Sequence, residues 1–263
     1  MDVQERKPSV KEEIGRVGVE GVKVFLRTKK GKEEISYFPT VDLFINLPKE
    51  KRGIHMSRLT ETITDVILSK ATEVGGKLEE FGRRVLEDLA LKHPYQKGQI
   101  AIRSTLLLRK RTPITRSKSV EPYDVCVTVN KNGPYFDKVL TVEAIGSTAC
   151  PHSLEASQGR AHIQRSRLKV EFKTDMDTSI LLEELIDACE KAFSSPTYTV
   201  LKTEDEQYVV DRMYGNPKFI EDVVRDCFKN VRKLGYKGRV KVMGISEESI
   251  HKHNVVAEIE KTL

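Results

Sequence analysis

The feature that most constrains this chain is an order of apolar periodicities that occurs twice. In the first half, Val22, Val24 and Leu26 alternate in a strand over about 19–29. A second strand covers about 35–47, with Lys29-Lys30-Gly31-Lys32 as the turn between them. Leu59, Ile63, Val66 and Ile67 then recur at helical spacing behind Ser57, which reads as an N-cap. Gly75-Gly76 breaks that helix, and Leu78, Phe81, Val85, Leu86 and Leu89 mark another that ends before Pro94. Strands at about 98–108 and 121–131 follow, closed by the turn Asn132-Gly133-Pro134. The second half repeats the order. Strands at about 136–146 and 163–173 precede a helix from Asp177 to Phe193, and a further helix is capped by Asn216 with Pro217 at its first position and ends at Gly235. Strands at about 237–244 and 253–260 complete it. Each half reads ββααββ, so the chain divides into an arm (1–17), a first unit (18–132) and a second unit (133–263). A polar stretch at about 194–215 fits neither helix nor strand and reads as an insertion, the kind of segment in which functional side chains gather. His55-Met56-Ser57-Arg58 and His162-Ile163-Gln164-Arg165 form a faint echo between the halves.

Composition narrows the classes of function. A chain of 263 residues buries enough surface to need no disulfide framework, and its four cysteines are scattered without a CxxC pair. With a polar N-terminus and no apolar run of membrane-spanning length, the reading is a cytoplasmic protein in a reducing compartment, with no membrane partner. The net charge of +6 suits a small anionic substrate or a merely solvated surface. Nucleic acid is disfavoured as a partner, because the basic residues form no run and Trp is absent.

The residues able to carry chemistry are few. Of six histidines, four lie in two tight groups: Cys150-Pro151-His152 with His162, and His251-Lys252-His253 just after Glu247 and Glu248. Thiolate, imidazole and carboxylate are the ligands of borderline metals such as zinc and ferrous iron. The small-residue run Gly146-Ser147-Thr148-Ala149 ahead of Cys150 lets side chains converge. Against this stand a buried Cys with a proline turn and surface histidines, or Cys150 as a nucleophile with a histidine partner. Glu206, in Thr203-Glu204-Asp205-Glu206, reads most simply as part of a solvated acidic loop. Glu221 falls at the flank of a helical apolar stripe, where a carboxylate needs a partner, and Arg225 four residues on is the plain candidate. Arg58 and Arg165 suit phosphates through charge-assisted bonds, or are ordinary surface charge. There is no Walker loop and no GxGxxG cradle.

Several of these segments together resemble one family. Arg52-Gly53-Ile54-His55-Met56-Ser57-Arg58, Thr148-Ala149-Cys150-Pro151-His152-Ser153, Ala161-His162-Ile163-Gln164-Arg165-Ser166, Asn216-Pro217-Lys218-Phe219-Ile220-Glu221 and Glu248-Ser249-Ile250-His251-Lys252-His253-Asn254 are similar, in order, to the GTP cyclohydrolases of the archaeal MptA and bacterial type IB group. The resemblance implies an α+β tunnelling fold (T-fold): tandem ββααββ units with antiparallel sheets and helices on one face. It also implies homo-oligomers, dimers or tetramers, that assemble into barrels with active sites at subunit interfaces. It implies GTP as substrate, opened at C8 of its imidazole ring by metal-assisted hydrolysis with loss of formate. By motif, Cys150, His162, Glu206 and His251 are the metal ligands, and Cys150, Glu248 and His251 carry catalysis. Glu221 grips the guanine edge. Arg58, Arg165, His55 and His152 contact substrate. The type IB enzymes usually have a second Cys where this chain has His152. The Cys-Pro-His form resembles the archaeal enzymes, which use Fe(2+) and release pyrophosphate to give a 2′,3′-cyclic phosphate; Zn(2+) and Mn(2+) also suit the donor set. Two other readings stand beside this one: another T-fold enzyme acting on a purine or pterin, and a nucleic-acid-binding protein.

Overall fold

The computed structural model describes residues 3–30, 33–68 and 78–263. The chain forms two compact units, one made of residues 1–104 and 126–139, the other of 105–125 and 140–263. These units are drawn along other lines than the ββααββ repeat expected from the sequence, with its boundary at the 133 turn. Three strands of fifteen residues each contribute a segment to both units: β5 (Lys97–Arg111), β6 (Lys118–Asn132) and β7 (Tyr135–Ala149).

In the first unit the strand order is β1-β4-β5-β6-β7, with β1 at Ile14–Lys23 and β4 at Thr40–Leu47. β4 pairs antiparallel with both neighbours, Leu43 lying opposite Val19 and Ile100. A separate antiparallel hairpin, β2 (Leu26–Lys30) and β3 (Glu33–Tyr37), stands between β1 and β4. The two long strands expected before the first helix are therefore four shorter ones, and β1 begins inside the stretch read as an arm. The tip of the expected turn, Gly31 and Lys32, and the Gly75-Gly76 break lie outside the described residues. Two helices, α1 (Met56–Leu68) and α2 (Leu78–Lys92), bury Leu59, Ile63 and Val66, and Phe81, Val85, Leu86 and Leu89, the residues that carried the helical period. Gly82 lets α2 approach the sheet closely, because a Cβ there would stand 2.9–3.0 Å from methyls of Val129 and Ile100. Ser57 lies inside the first turn of α1 and does not cap it, since the helix already begins at Met56.

The second unit has the order β5-β6-β7-β8-β10-β11. Here β8 is Ile163–Asp175, β10 Arg239–Glu247 and β11 Val255–Thr262, and both β8–β10 and β10–β11 are antiparallel. A two-residue strand, β9 (Ser195–Pro196), pairs with the end of β7. The helices are α3 (Pro151–Ala156), α4 (Leu182–Glu190), α5 (Thr203–Gly215) and α6 (Ile220–Lys233). α6 packs so closely on β10 that a Cβ on Gly244 would meet Val224 at 2.6 Å. α4 joins α6 through Cys189 and Cys227, whose sulfurs are 3.8 Å apart in the core.

Three sequence expectations are corrected in this unit. The stretch read as an irregular insertion holds β9 and the thirteen-residue α5. α5 escaped notice because it buries only Asp205 and Met213, so no apolar period exists to read. Asn216 caps no helix start. It ends α5, its amide donates to the carbonyls of Phe193 (3.2 Å) and Ser194 (3.1 Å), and α6 opens at Ile220. The helix expected from Asp177 begins at Leu182, because the Asp175 carboxylate accepts from the N–H groups of Asp177 and Thr178 and holds them in a turn. Among the described residues, no helix is long and apolar enough to cross a membrane.

Candidate active site

The last residues of β7 lead directly into the Cys150 segment. Thr148 is buried and its hydroxyl meets that of Ser166 on β8 at 2.8 Å. The Ala149 N–H reaches Ser194 Oγ at 3.4 Å, and its carbonyl accepts from Lys218 N at 3.0 Å. Cys150 is then the N-cap of α3, in extended conformation, and its Sγ accepts from Ser153 N at 3.5 Å. The proline of Cys-Pro-His opens a helix here and does not form a simple turn, since Pro is tolerated at a first helical position.

His162 returns to the same point. Its carbonyl accepts from Cys150 N at 3.1 Å, and its N–H donates to Ser153 Oγ at 3.3 Å. Ser153 Oγ in turn donates to Cys150 O at 3.3 Å, so one serine ties both ends of the loop. His162 Nδ1 lies 3.0 Å from Gln164 Oε1. With the glutamine carbonyl as acceptor the ring N–H is at Nδ1, and in a neutral ring Nε2 is then the nitrogen with a lone pair, the tautomer a metal-ligating imidazole uses. Cys150 and His162 are both half-buried.

The other expected residues sit on separate elements. Glu206 is exposed in the first turn of α5, while its neighbour Asp205 is fully buried. Asp205 accepts from Ile114 N (2.9 Å), Thr115 N (3.0 Å), Thr115 Oγ1 (2.6 Å) and Lys202 N (3.3 Å). Burial alone would raise its carboxyl, but those bonds outweigh burial and hold it far below the ordinary carboxylate range. Sequence reasoning missed this anchor; nothing in Thr-Glu-Asp-Glu says which acid turns inward. Glu248 follows β10 and accepts from Ser246 Oγ at 2.7 Å. His251 and His253 are exposed, with rings stacked 5.3 Å apart. Glu221 is exposed in the first turn of α6 and has no partner among the described residues; Arg225 pairs instead with Asp222, at 2.8 Å. His152 is exposed on α3.

Arg165 is exposed on β8 and is the one expected residue that lines a cavity of about 370 Å³. Glu121, Tyr123, Glu143, Arg167 and Glu190 share its wall. Glu121 is buried and saturated, with Ser119 Oγ at 2.5 Å, Thr199 N at 3.0 Å and Thr199 Oγ1 at 2.6 Å. Arg58 and His55 belong to the first unit, at the start of α1, where Arg58 donates to Lys92 O at 3.2 Å. The two echoed segments are thus not equivalent positions of a repeat: one opens a helix and the other opens a strand.

A family model described as type I GTP cyclohydrolase folE2 matches residues 1–257. The chain belongs to this GTP cyclohydrolase family. It is 44% identical over 263 residues to GTP cyclohydrolase MptA of Pyrococcus abyssi, covering 98% of each chain. It is 35% identical over 270 residues to GTP cyclohydrolase FolE2 of Fervidobacterium nodosum, covering 99% of this chain and 98% of that one. Among solved structures, uricase from Arthrobacter globiformis superposes with a TM-score of 0.62 at 10% identity, over 97% of this chain and 96% of the uricase, a likeness of fold alone.

For a member of this cyclohydrolase family, the donor set of Cys150, His162, Glu206 and His251 has the chemistry a borderline metal takes. The tautomer set by Gln164 fits a ligand role for His162. Within one chain, no three His, Cys, Asp or Glu among the described residues are gathered as a metal-binding group. Backbone bonds bring Cys150 and His162 together; Glu206 and His251 are not drawn in with them.

Proposed function

We propose that the chain is a GTP cyclohydrolase of the MptA kind, converting GTP to 7,8-dihydroneopterin 2′,3′-cyclic phosphate with release of formate and pyrophosphate. This is the first step of tetrahydromethanopterin-type pterin biosynthesis. The observation that carries the reading is the pairing of Cys150 and His162 in a chain that matches such an enzyme nearly end to end. The cofactor proposed is Fe(2+), with Zn(2+) or Mn(2+) as substitutes, held by Cys150, His162, Glu206 and His251. When bound, such an ion supplies Lewis acidity that makes water a competent nucleophile at neutral pH. Glu221 has both carboxylate oxygens free for the paired N–H donors of a guanine edge. Glu248 has Oε1 committed to Ser246, so Oε2 is left to accept or return a proton, three residues before His251 in the chain. Arg58, Arg165, His55 and His152 serve the ribose and phosphates. The enzyme is proposed to be a cytoplasmic homo-oligomer, dimer or tetramer, of T-fold barrels with active sites at subunit interfaces, and assembly completes the ligand set.

Incubation of the anaerobically purified protein with ferrous iron and GTP tests this, followed by mass spectrometry of the pterin. The expected product is the cyclic phosphate. No pterin from iron-loaded protein overturns the reading. A pterin that keeps its triphosphate replaces it with the type IB reaction, a reading favoured by the FolE2 description of the matching family model.

A further inference from the structure

In the first unit, Nδ1 of His93 is buried without a hydrogen-bond partner, in a residue only 2% exposed. Such an orphan in a folded chain asks for a partner from outside it. His93 follows α2 directly, its N–H donating to Leu89 O at 2.8 Å. Its ring meets that of His55 edge-on, with centroids 6.1 Å apart. The Arg58 guanidinium is bonded to the carbonyl of the preceding residue, Lys92. Burial first, then Lys51, Arg58 and His55, keep a proton off His93 against the opposing pull of Glu5, so these basic side chains stand near it. They gather at the start of α1, a thirteen-residue helix whose positive dipole end favours an anion, although the Arg58 N–H is already bonded to His55 O at 3.1 Å.

The Glu5 carboxylate faces this cluster. Glu5 lies 3.1 Å from Lys51 Nζ and 4.0 Å from His55 Nε2. It arrives on the N-terminal segment, where Arg52 N donates to Gln4 O (3.0 Å) and Arg6 O (2.9 Å) and Gly53 N to Gln4 O (3.2 Å). The nearby Lys92 is already paired with Asp65, at 2.5 Å.

We propose that Lys51, His55, Arg58 and His93 form an anion site for the phosphate end of a nucleotide, and that Glu5 is its internal competitor. The carboxylate stands where a phosphate oxygen binds and withdraws with its segment when the nucleotide arrives. His93 Nδ1 takes its missing bond from that ligand. His55 and Arg58 were already expected near phosphate; Lys51, His93 and the opposing Glu5 are additions. That the nucleotide is GTP rests on the cyclohydrolase reading, whereas the anion site does not.

The test is calorimetric titration of the full-length, metal-loaded protein with inorganic tripolyphosphate, beside steady-state kinetics with GTP. Glu5→Gln should tighten tripolyphosphate roughly threefold and lower KM for GTP with kcat unchanged. In a Lys51→Ala background that gain should vanish, which a merely structural role for Glu5 would not produce. His93→Phe keeps the ring and removes the nitrogen; it should weaken tripolyphosphate about tenfold, with His93→Gln restoring part of the loss. Unchanged or weaker binding in Glu5→Gln, which is a surface change and leaves the fold intact, overturns the proposal. Tighter tripolyphosphate binding without any pterin from GTP supports the site and removes GTP as its ligand.

Discussion

Glu221 and His93 show how differently two polar side chains are held. Glu221 is exposed and has no partner among the described residues, so its charge costs little to keep and both oxygens are available. In the proposed guanine-gripping role, Glu221→Gln replaces one acceptor by a donor, and should raise KM for GTP at least about tenfold while metal content stays native. Unaltered steady-state parameters reject the guanine-gripping role. His93 is neutral because burial and its cationic neighbours lower its proton affinity below the ordinary 6.5. As pH falls through that value, the unfolded chain takes up a proton that the native chain refuses, so stability declines with acidity. His93→Phe should flatten that slope between about pH 7 and 5. Denaturant melts at stepped pH check this, and the same slope in both proteins counts against it. Glu221 was legible in the sequence as a carboxylate beside an apolar stripe. The burial of His93 was not, since a histidine before a proline carries no period.

At the scale of elements, α5 and the end of β7 depend on contacts that local pattern does not announce. α5 is anchored by Asp205 to the turn at Ile114 and Thr115. Its depressed carboxyl contributes stability above the ordinary value of 3.8, and that contribution is lost as pH falls toward the lower folded value. Asp205→Asn should therefore lower the melting temperature by several degrees at pH 7 and shrink the further loss below pH 4, read by scanning calorimetry. Equal acid sensitivity in variant and parent would remove Asp205 as the anchor. The β7 end is shaped by Gly146, where a Cβ would meet the Phe193 ring at 2.1 Å. Phe193 is fully buried, so Gly146→Ala should cost on the order of 2 kcal/mol or more and loosen the Cys150 loop that follows. A variant of parental stability would show that Phe193 can yield. The small-residue run before Cys150 was visible in sequence, but its cause, an aromatic ring forty-seven residues away across the packing, was not.

For the whole molecule, the decisive observation is that, among the described residues, Glu206 and His251 do not join Cys150 and His162 in a metal-binding group within one chain. If assembly completes the site, specific activity and bound iron should fall together on dilution through the range where the subunits separate, as mass photometry reports it. Activity per chain that stays constant across that transition would place the site in a single subunit. Under the proposed ligand role, Cys150→Ala should lower metal content at every concentration, because it would remove a ligand and not a contact between copies.

The sequence by itself determined the α+β class, the α1–α2 pair followed by the β5 and β6 strands, the residues of most helical cores and the motifs that mark the family, but not the number of strands before α1 or the helices α3 and α5. Those signals are local: periods of two and 3.6 are set by backbone geometry and read within a few turns. Only the tertiary structure decided that α5 is a helix, that Asp205 and not Glu206 turns inward, that Asn216 closes one helix instead of opening the next, and that Glu5 faces Lys51 and His55. Each of these rests on a polar group whose partner is distant in the chain. Hydrogen bonding and ion pairing have no sequence period, and they become readable only when folding has brought the two partners together.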